Sequence, residues 1–122
     1  MRPVMRTIVI VDDHAAFRAF ARRLLEAGGL GVVGEAADGA SALALVERLG
    51  PDLVLLDIQL PDIDGFEVAR RLSLAGSPSR VLFTSTRDAE DYGDRLDETP
   101  SVGFVAKAEL SAPAILELLG AA

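Results

Sequence analysis

The chain has 122 residues, of which 50% are hydrophobic, enough for one real core but not two. Twelve Lys plus Arg against nineteen Asp plus Glu give a net charge of -7, the wrong sign for holding nucleic acid by its phosphates, so direct nucleic-acid binding is not expected. With no cysteine there are no disulfides, thiolate metal sites or cysteine nucleophiles.

The basic start, Met1 to Arg6, is followed by only a four-residue apolar run, too short for a signal-peptide core. No apolar run approaches the roughly 20 residues needed to span a bilayer. The expectation is a cytoplasmic protein without membrane contact. Thr7 to Val11 reads as a first strand and ends in Asp12 and Asp13. Ala15 to Ala27 reads as a helix, with Phe17, Phe20, Ala21, Leu24 and Leu25 at helical spacing on one face, stopped by Gly28-Gly29. Val32 to Ala36 is a weaker second strand. Asp38 then caps a helix running to Leu49, with Leu43, Val46 and Leu49 inward.

Leu53 to Leu56 is an unbroken apolar strand that runs into Asp57, a pattern expected for a parallel strand buried on both faces. After the turn-rich Pro61-Asp62-Ile63-Asp64-Gly65 comes a helix over Phe66 to Ala75, with Phe66, Ala69 and Leu72 inward. Val81 to Phe83 is the fourth strand and Val102 to Val105 the fifth. Ser111 caps a last helix whose buried face is Ile115, Leu116 and Leu119. Between the fourth and fifth strands, Arg87 to Pro100 holds Gly93 and six acids, and only Tyr92 and Leu96 as sizeable apolar residues, so its helix is expected to be short or irregular. Strands alternating with helices predict an α/β fold with five parallel strands and five helices in one domain, residues 1–122.

The carboxylates that end the first and third strands carry the functional signal. In a parallel sheet ligands sit outside the carboxyl ends of the strands. Neighbouring strands are about 4.8 Å apart, so if these two are adjacent, Asp12, Asp13 and Asp57 converge. Carboxylates at the edge of an apolar core pay for desolvation, and three together call for a cation, a proton or a reaction. Hard oxygen ligands suit Mg²⁺. Thr84 is the first hydroxyl after the fourth strand, and Lys107 follows the fifth. Lys107 is also the only lysine, the other eleven basic residues being arginine. A hydroxyl and an ammonium beside a metal site point to an anion that shares it, most economically a phosphoryl group.

Four motifs, Ile10-Val11-Asp12-Asp13-His14, Leu53 to Gly65 around Asp57, Phe83-Thr84-Ser85 and Gly103 to Lys107, resemble the response-regulator receiver domains of two-component signalling. The resemblance implies a flavodoxin-like doubly wound sheet of order 2-1-3-4-5. It further implies that Asp57 accepts a phosphoryl group from a phosphohistidine on a sensor histidine kinase or phosphotransfer protein. Asp13 would hold Mg²⁺ directly, Asp12 would assist through water, and the backbone carbonyl of Gln59 would complete the set. Lys107 and Thr84 would contact the phosphoryl oxygens, and Thr84 with Phe104 would form the switch that presents the fourth helix, fifth strand and last helix to a downstream protein. Gln59 and Thr86 would tune the lifetime of the acyl phosphate, and association as a homodimer is left open.

Three departures from the family pattern bear on function. Phe104 stands where many relatives have tyrosine, Ala108 replaces the proline that usually follows the lysine, and Asp97 to Ser101 replaces a glycine-alanine turn. His14 is read as a bystander, because Mg²⁺ prefers oxygen and the family's donor histidine belongs to the partner. An aspartate-nucleophile phosphatase is the enzymatic alternative, but it needs an acid two residues after the nucleophile, where this chain has Gln59. The expectation is a signalling domain, not an enzyme in its own right. A phosphorylation-independent binding module is the third reading. The chain stops just after its last helix, which reads as a stand-alone or N-terminal receiver.

Overall fold

A computed structural model of the chain describes residues 6–120; residues 1–5 and the last two lie outside that range. Five strands, β1 (Thr7–Val11), β2 (Gly31–Ala36), β3 (Leu53–Asp57), β4 (Arg80–Ser85) and β5 (Gly103–Ala106), form one parallel sheet of order β2-β1-β3-β4-β5. The helices are α1 (Ala15–Ala27), α2 (Gly39–Leu49), α3 (Gly65–Leu74), α4 (Asp94–Glu98) and α5 (Ala112–Leu118). Single 3₁₀ turns lie at Ala89–Tyr92 and Lys107–Glu109.

Period-2 alternation along the strands divides the core into two layers. Ile8, Ile10, Leu53 and Leu55 point to one face and meet Ala21 and Leu25 of α1 with Ala112 and Ile115 of α5. Val9, Val11, Val54 and Leu56 point to the other and meet Ala42 and Val46 of α2 with Phe66, Val68, Ala69 and Leu72 of α3. Every residue of β3 is buried, as its apolar run predicted for the central strand. The order reverses between β1 and β3, so the carboxyl ends of these two strands and of β4 open onto one edge.

Helix starts follow their caps. Asp38 accepts the Ser41 N–H at 2.7 Å, Asp64 the Glu67 N–H at 2.9 Å and Ser111 the Ala114 N–H at 3.1 Å. The α4 region is reduced to a five-residue helix behind Gly93, whose φ of 55° and ψ of -134° break the chain from the preceding 3₁₀ turn. Tyr92 and Leu96 are its apolar contacts with the core, the shortage visible in the sequence, and Arg95 adds a contact over the Phe66 ring at 4.3 Å.

Two core assignments are corrected. Phe20 is 52% exposed. At about 100° per residue it falls about 120° from the centre of the α1 stripe set by Ala21 and Leu25, beyond Phe17 and Leu24 at the stripe's margin. Leu49 is 39% exposed because it ends α2 over Gly34 of the edge strand, where no further strand shields it. β5 is displaced one residue from the expected span, although the Val102 N–H already bonds to the Val81 carbonyl at 2.8 Å.

Candidate functional site

The strand register assembles the site. Val11 pairs with Leu56, so Asp12 and Asp57 leave adjacent strands side by side. Asp57 itself pairs with Thr84, and Ser85 with Ala106, which brings Lys107 to the same edge. Asp12, Asp57 and Thr84 are buried, while Asp13 projects from the loop with its side chain 38% exposed. Asp12, Asp13, His14 and Asp57 each offer a ligand atom, all within 4.8 Å of one another.

The ammonium of Lys107 lies 2.5 Å from Asp12 Oδ2 and 3.3 Å from Asp57 Oδ2, donating a hydrogen bond to the latter. The contact with Asp12 Oδ2 is the shorter of the two and is an ion pair. The other Asp12 oxygen accepts the His14 N–H at 2.8 Å and Asp57 Oδ1 accepts the Gln59 N–H at 3.1 Å. Burial pushes the Asp57 carboxyl up to about 6. The Gln59 N–H opposes that shift, the Asp12 charge adds to it and Lys107 opposes it. Burial also disfavours the charged Lys107, but Asp12 and Asp57 outweigh it and raise its pKa.

The site is therefore short of positive charge. Three carboxylates face one ammonium, two of them inside the protein, and Thr84 Oγ1 is buried with no hydrogen-bond partner. Unpartnered buried polar atoms are costly unless a ligand completes them. An oxygen-lined pocket in which three carboxylates converge fits a hard divalent cation, and an unpartnered hydroxyl beside an ammonium fits an anion.

The residues around this centre are local in origin. Gly65 starts α3 hard against the end of β3: its N–H donates to the Ile58 carbonyl at 2.8 Å, and a Cβ there would sit 2.6 Å from the Asp57 carbonyl oxygen. Asp62 ties the same loop to α2 by accepting the Gly39 and Ala40 N–H groups at 2.8 and 2.9 Å, which hold its carboxyl down near 2. Arg18 fixes the other loop, donating to the Asp12 carbonyl at 2.6 Å and to Glu35 at 3.1 Å.

His14, read from the sequence as a bystander, touches both acids, with Nδ1 3.1 Å from Asp12 Oδ1 and 3.0 Å from Asp13 Oδ1. Tyr92 was legible only as a weak anchor of the α4 segment. Its hydroxyl lies 2.6 Å from Ser85 Oγ, and its ring stands between Phe66 and Phe104, at 5.8 and 6.3 Å. Phe104 is half-buried beside it, while Gln59 and Thr86 are exposed. No peptide bond among the described residues is cis, in keeping with Ala108 in place of proline.

The model for the response regulator receiver domain matches residues 8–119. The chain belongs to this family. It is 40% identical to a transcriptional regulator of Pseudomonas aeruginosa over 105 residues, 86% of this chain and 51% of that protein. It is also 43% identical over 115 residues to a protein-glutamate methylesterase/protein-glutamine glutaminase of Anaeromyxobacter dehalogenans, 92% of this chain and 33% of that one. The receiver thus spans about half the length of the transcriptional relatives it matches. The signal receiver domain of the response regulator NarL from Mycobacterium tuberculosis superposes with a TM-score of 0.88 at 34% identity, covering 98% of this chain and all of that one. The flavodoxin-like receiver fold and the assignment to two-component signalling follow. No helix among the described residues is long and apolar enough to cross a membrane.

Proposed function

We propose that Asp57 is the phosphoacceptor of this receiver. A carboxylate oxygen of Asp57 attacks the phosphorus of a phosphohistidine on a sensor histidine kinase or phosphotransfer protein. The P–N bond breaks as the new O–P bond forms, and the released imidazole takes up a proton. The domain supplies mainly position and charge, as suits a loose phosphoryl transition state. Lys107 is within reach of the incoming oxygens and Thr84 has a free hydroxyl for them.

Asp12, Asp13, Asp57 and the carbonyl of Gln59 would hold Mg²⁺, which offsets the negative charge of the phosphoryl oxygens. The single observation that carries the reading is the pairing of a buried, cation-poor Asp57 with the unpartnered Thr84 hydroxyl on the neighbouring strand. A metal site alone accounts for the first and leaves the second unexplained.

Movement of Thr84 toward the phosphoryl group, with Phe104 following, would alter the surface of α4, β5 and α5. The transcriptional relatives point to gene expression as the output. With a net charge of -7, this domain would leave nucleic-acid contacts to another segment or another protein. Gln59 and Thr86, both exposed beside the site, would set how readily water reaches the acyl phosphate.

Acetyl phosphate with Mg²⁺ is expected to add one phosphoryl group to the wild type by intact mass, and none to Asp57→Asn. Wild type left unmodified by both acetyl phosphate and a competent histidine kinase would overturn the assignment.

A further inference from the structure

Lys107 has a third neighbour besides the two aspartates: its ammonium stands 4.4 Å from the centroid of the Phe17 ring on the first turn of α1. The lysine side chain is 12% exposed, so this contact lies largely out of water, where a cation over a ring face is held most firmly. Phe17 is itself fixed, half-buried against the core layer beneath α1 and 6.4 Å from the ring of Phe20. We infer that Phe17 is the positioning residue for Lys107, its ring face carrying the ammonium at the carboxyl edge of the sheet within reach of Asp57. The inference deepens the phosphoacceptor reading and rests on it for its functional consequence, though not for the contact itself.

The geometry explains why a ring suits this position. The two aspartates compete for the ammonium unequally, at 2.5 Å for Asp12 and 3.3 Å for Asp57. A third directional acceptor would lock it in place. A π face is attractive over an area, so the ammonium keeps its partner while it shifts from Asp12 toward oxygens arriving on Asp57. Without the ring, the long side chain regains rotamer freedom and collapses onto Asp12 or swings into solvent. A guanidinium is a poor substitute here, being planar and bulkier than the compact ammonium that these three partners surround.

Because Lys107 is the only lysine in the chain, ¹³C-lysine labelling gives a single ε-methylene signal to follow. In the wild type that signal is expected upfield of free lysine, shifted by the ring current of Phe17. Phe17→Leu keeps an apolar side chain and loses the quadrupole; it should return the signal toward the free value and slow phosphoryl uptake from acetyl phosphate roughly tenfold, within the range set by a partly desolvated cation–π contact. Phe17→Tyr, which retains the ring, should restore both the shift and the rate. Urea unfolding of each variant separates this effect from loss of packing, since a merely structural role moves stability without moving the lysine signal.

An ε-methylene signal already at the free value in the folded wild type would overturn the inference. So would uptake in Phe17→Leu at the wild-type rate, or slow uptake in Phe17→Tyr with the shift intact. Failure of the wild type to take up phosphoryl at all would overturn the phosphoacceptor reading, and with it the role of the contact in transfer. The lysine signal in the metal-free protein would then still decide whether Phe17 holds Lys107.

Discussion

Replacing Asp57 by asparagine is expected to stabilise the metal-free protein at neutral pH. Asp57 is 3% exposed, and burial first, with the Asp12 charge in support, lifts its carboxyl from 3.8 to about 6 against the pull of the Gln59 N–H and Lys107. A raised pKa means that the folded state holds the proton more tightly than the unfolded chain. Below about pH 4 both states carry the proton and the group costs the fold nothing. As pH rises from about 4 through about 6, the fold loses stability, and above that the full cost is present. Two units at about 1.4 kcal/mol each set a ceiling of about 3 kcal/mol. Because the exchange also takes from the Lys107 ammonium one of its two carboxylate partners, about 2 kcal/mol is expected from it. Asparagine keeps an oxygen to accept the Gln59 N–H and has no charge to desolvate. Urea unfolding in EDTA should show the variant ahead by that amount at about pH 7.5 and level with wild type near pH 4, and Mg²⁺ should narrow the gap by stabilising the folded wild type. A variant no more stable than wild type at neutral pH, or an advantage that grows in acid, would refute the reasoning.

Gly65→Ala should cost about 2 to 3 kcal/mol and slow phosphoryl uptake. Its Cβ would meet the Asp57 carbonyl oxygen at 2.6 Å and the Ile58 Cα at 2.9 Å, backbone atoms that yield only by moving Asp57; thermal melts and intact mass check both effects. Tyr92→Phe removes the hydroxyl that meets Ser85 Oγ but leaves that oxygen the Arg87 N–H at 3.1 Å, so about 1 kcal/mol is expected in urea unfolding. A neutral result there would mean that the Ser85–Tyr92 hydrogen bond does not anchor the α4 segment.

The fold was legible where local pattern and tertiary burial agree. The apolar run of β3 suited the centre of a parallel sheet, and the first polar residues after the apolar runs of β1, β3 and β4, namely Asp12, Asp57 and Thr84, had to share its edge once the order was set. Legibility failed where position along an element, not residue type, decides exposure, as for Phe20 on the flank of α1 and Leu49 at the last turn of α2. It failed again for contacts between segments far apart in sequence. Nothing near Lys107 in the chain announces Phe17, and nothing in an acidic, glycine-broken stretch announces that the Tyr92 hydroxyl would find Ser85. His14 follows Asp13 directly, so its nearness to both acids was legible in the sequence, and the contacts at 3.1 and 3.0 Å add the distances.

The three carboxylates divide by burial into unequal parts. Asp13 reaches solvent and can exchange ligands readily, while Asp12 and Asp57 are enclosed and must find compensation inside the protein. There is one ammonium for the two of them, and it stands nearer Asp12 than Asp57. Asp57 has the longer of the two ammonium contacts, and burial raises its pKa, so its charge is poorly compensated in the resting site. Weakness there is what a phosphoacceptor requires. A carboxylate firmly paired to lysine would have to break that pair before attacking phosphorus, whereas one held by a backbone N–H on one oxygen and a long ammonium contact on the other has little to break. On the proposed reading, a phosphoryl group on Asp57 reverses the imbalance: its oxygens outbid Asp12 for Lys107 and meet the idle hydroxyl of Thr84, so both partners are drawn to the strand end that had least. Thr84 cannot follow without disturbing its neighbour Ser85, which is tied to Tyr92 and through that ring to Phe104. The charge deficit at the carboxyl edge is thereby coupled to the least firmly packed helix of the domain.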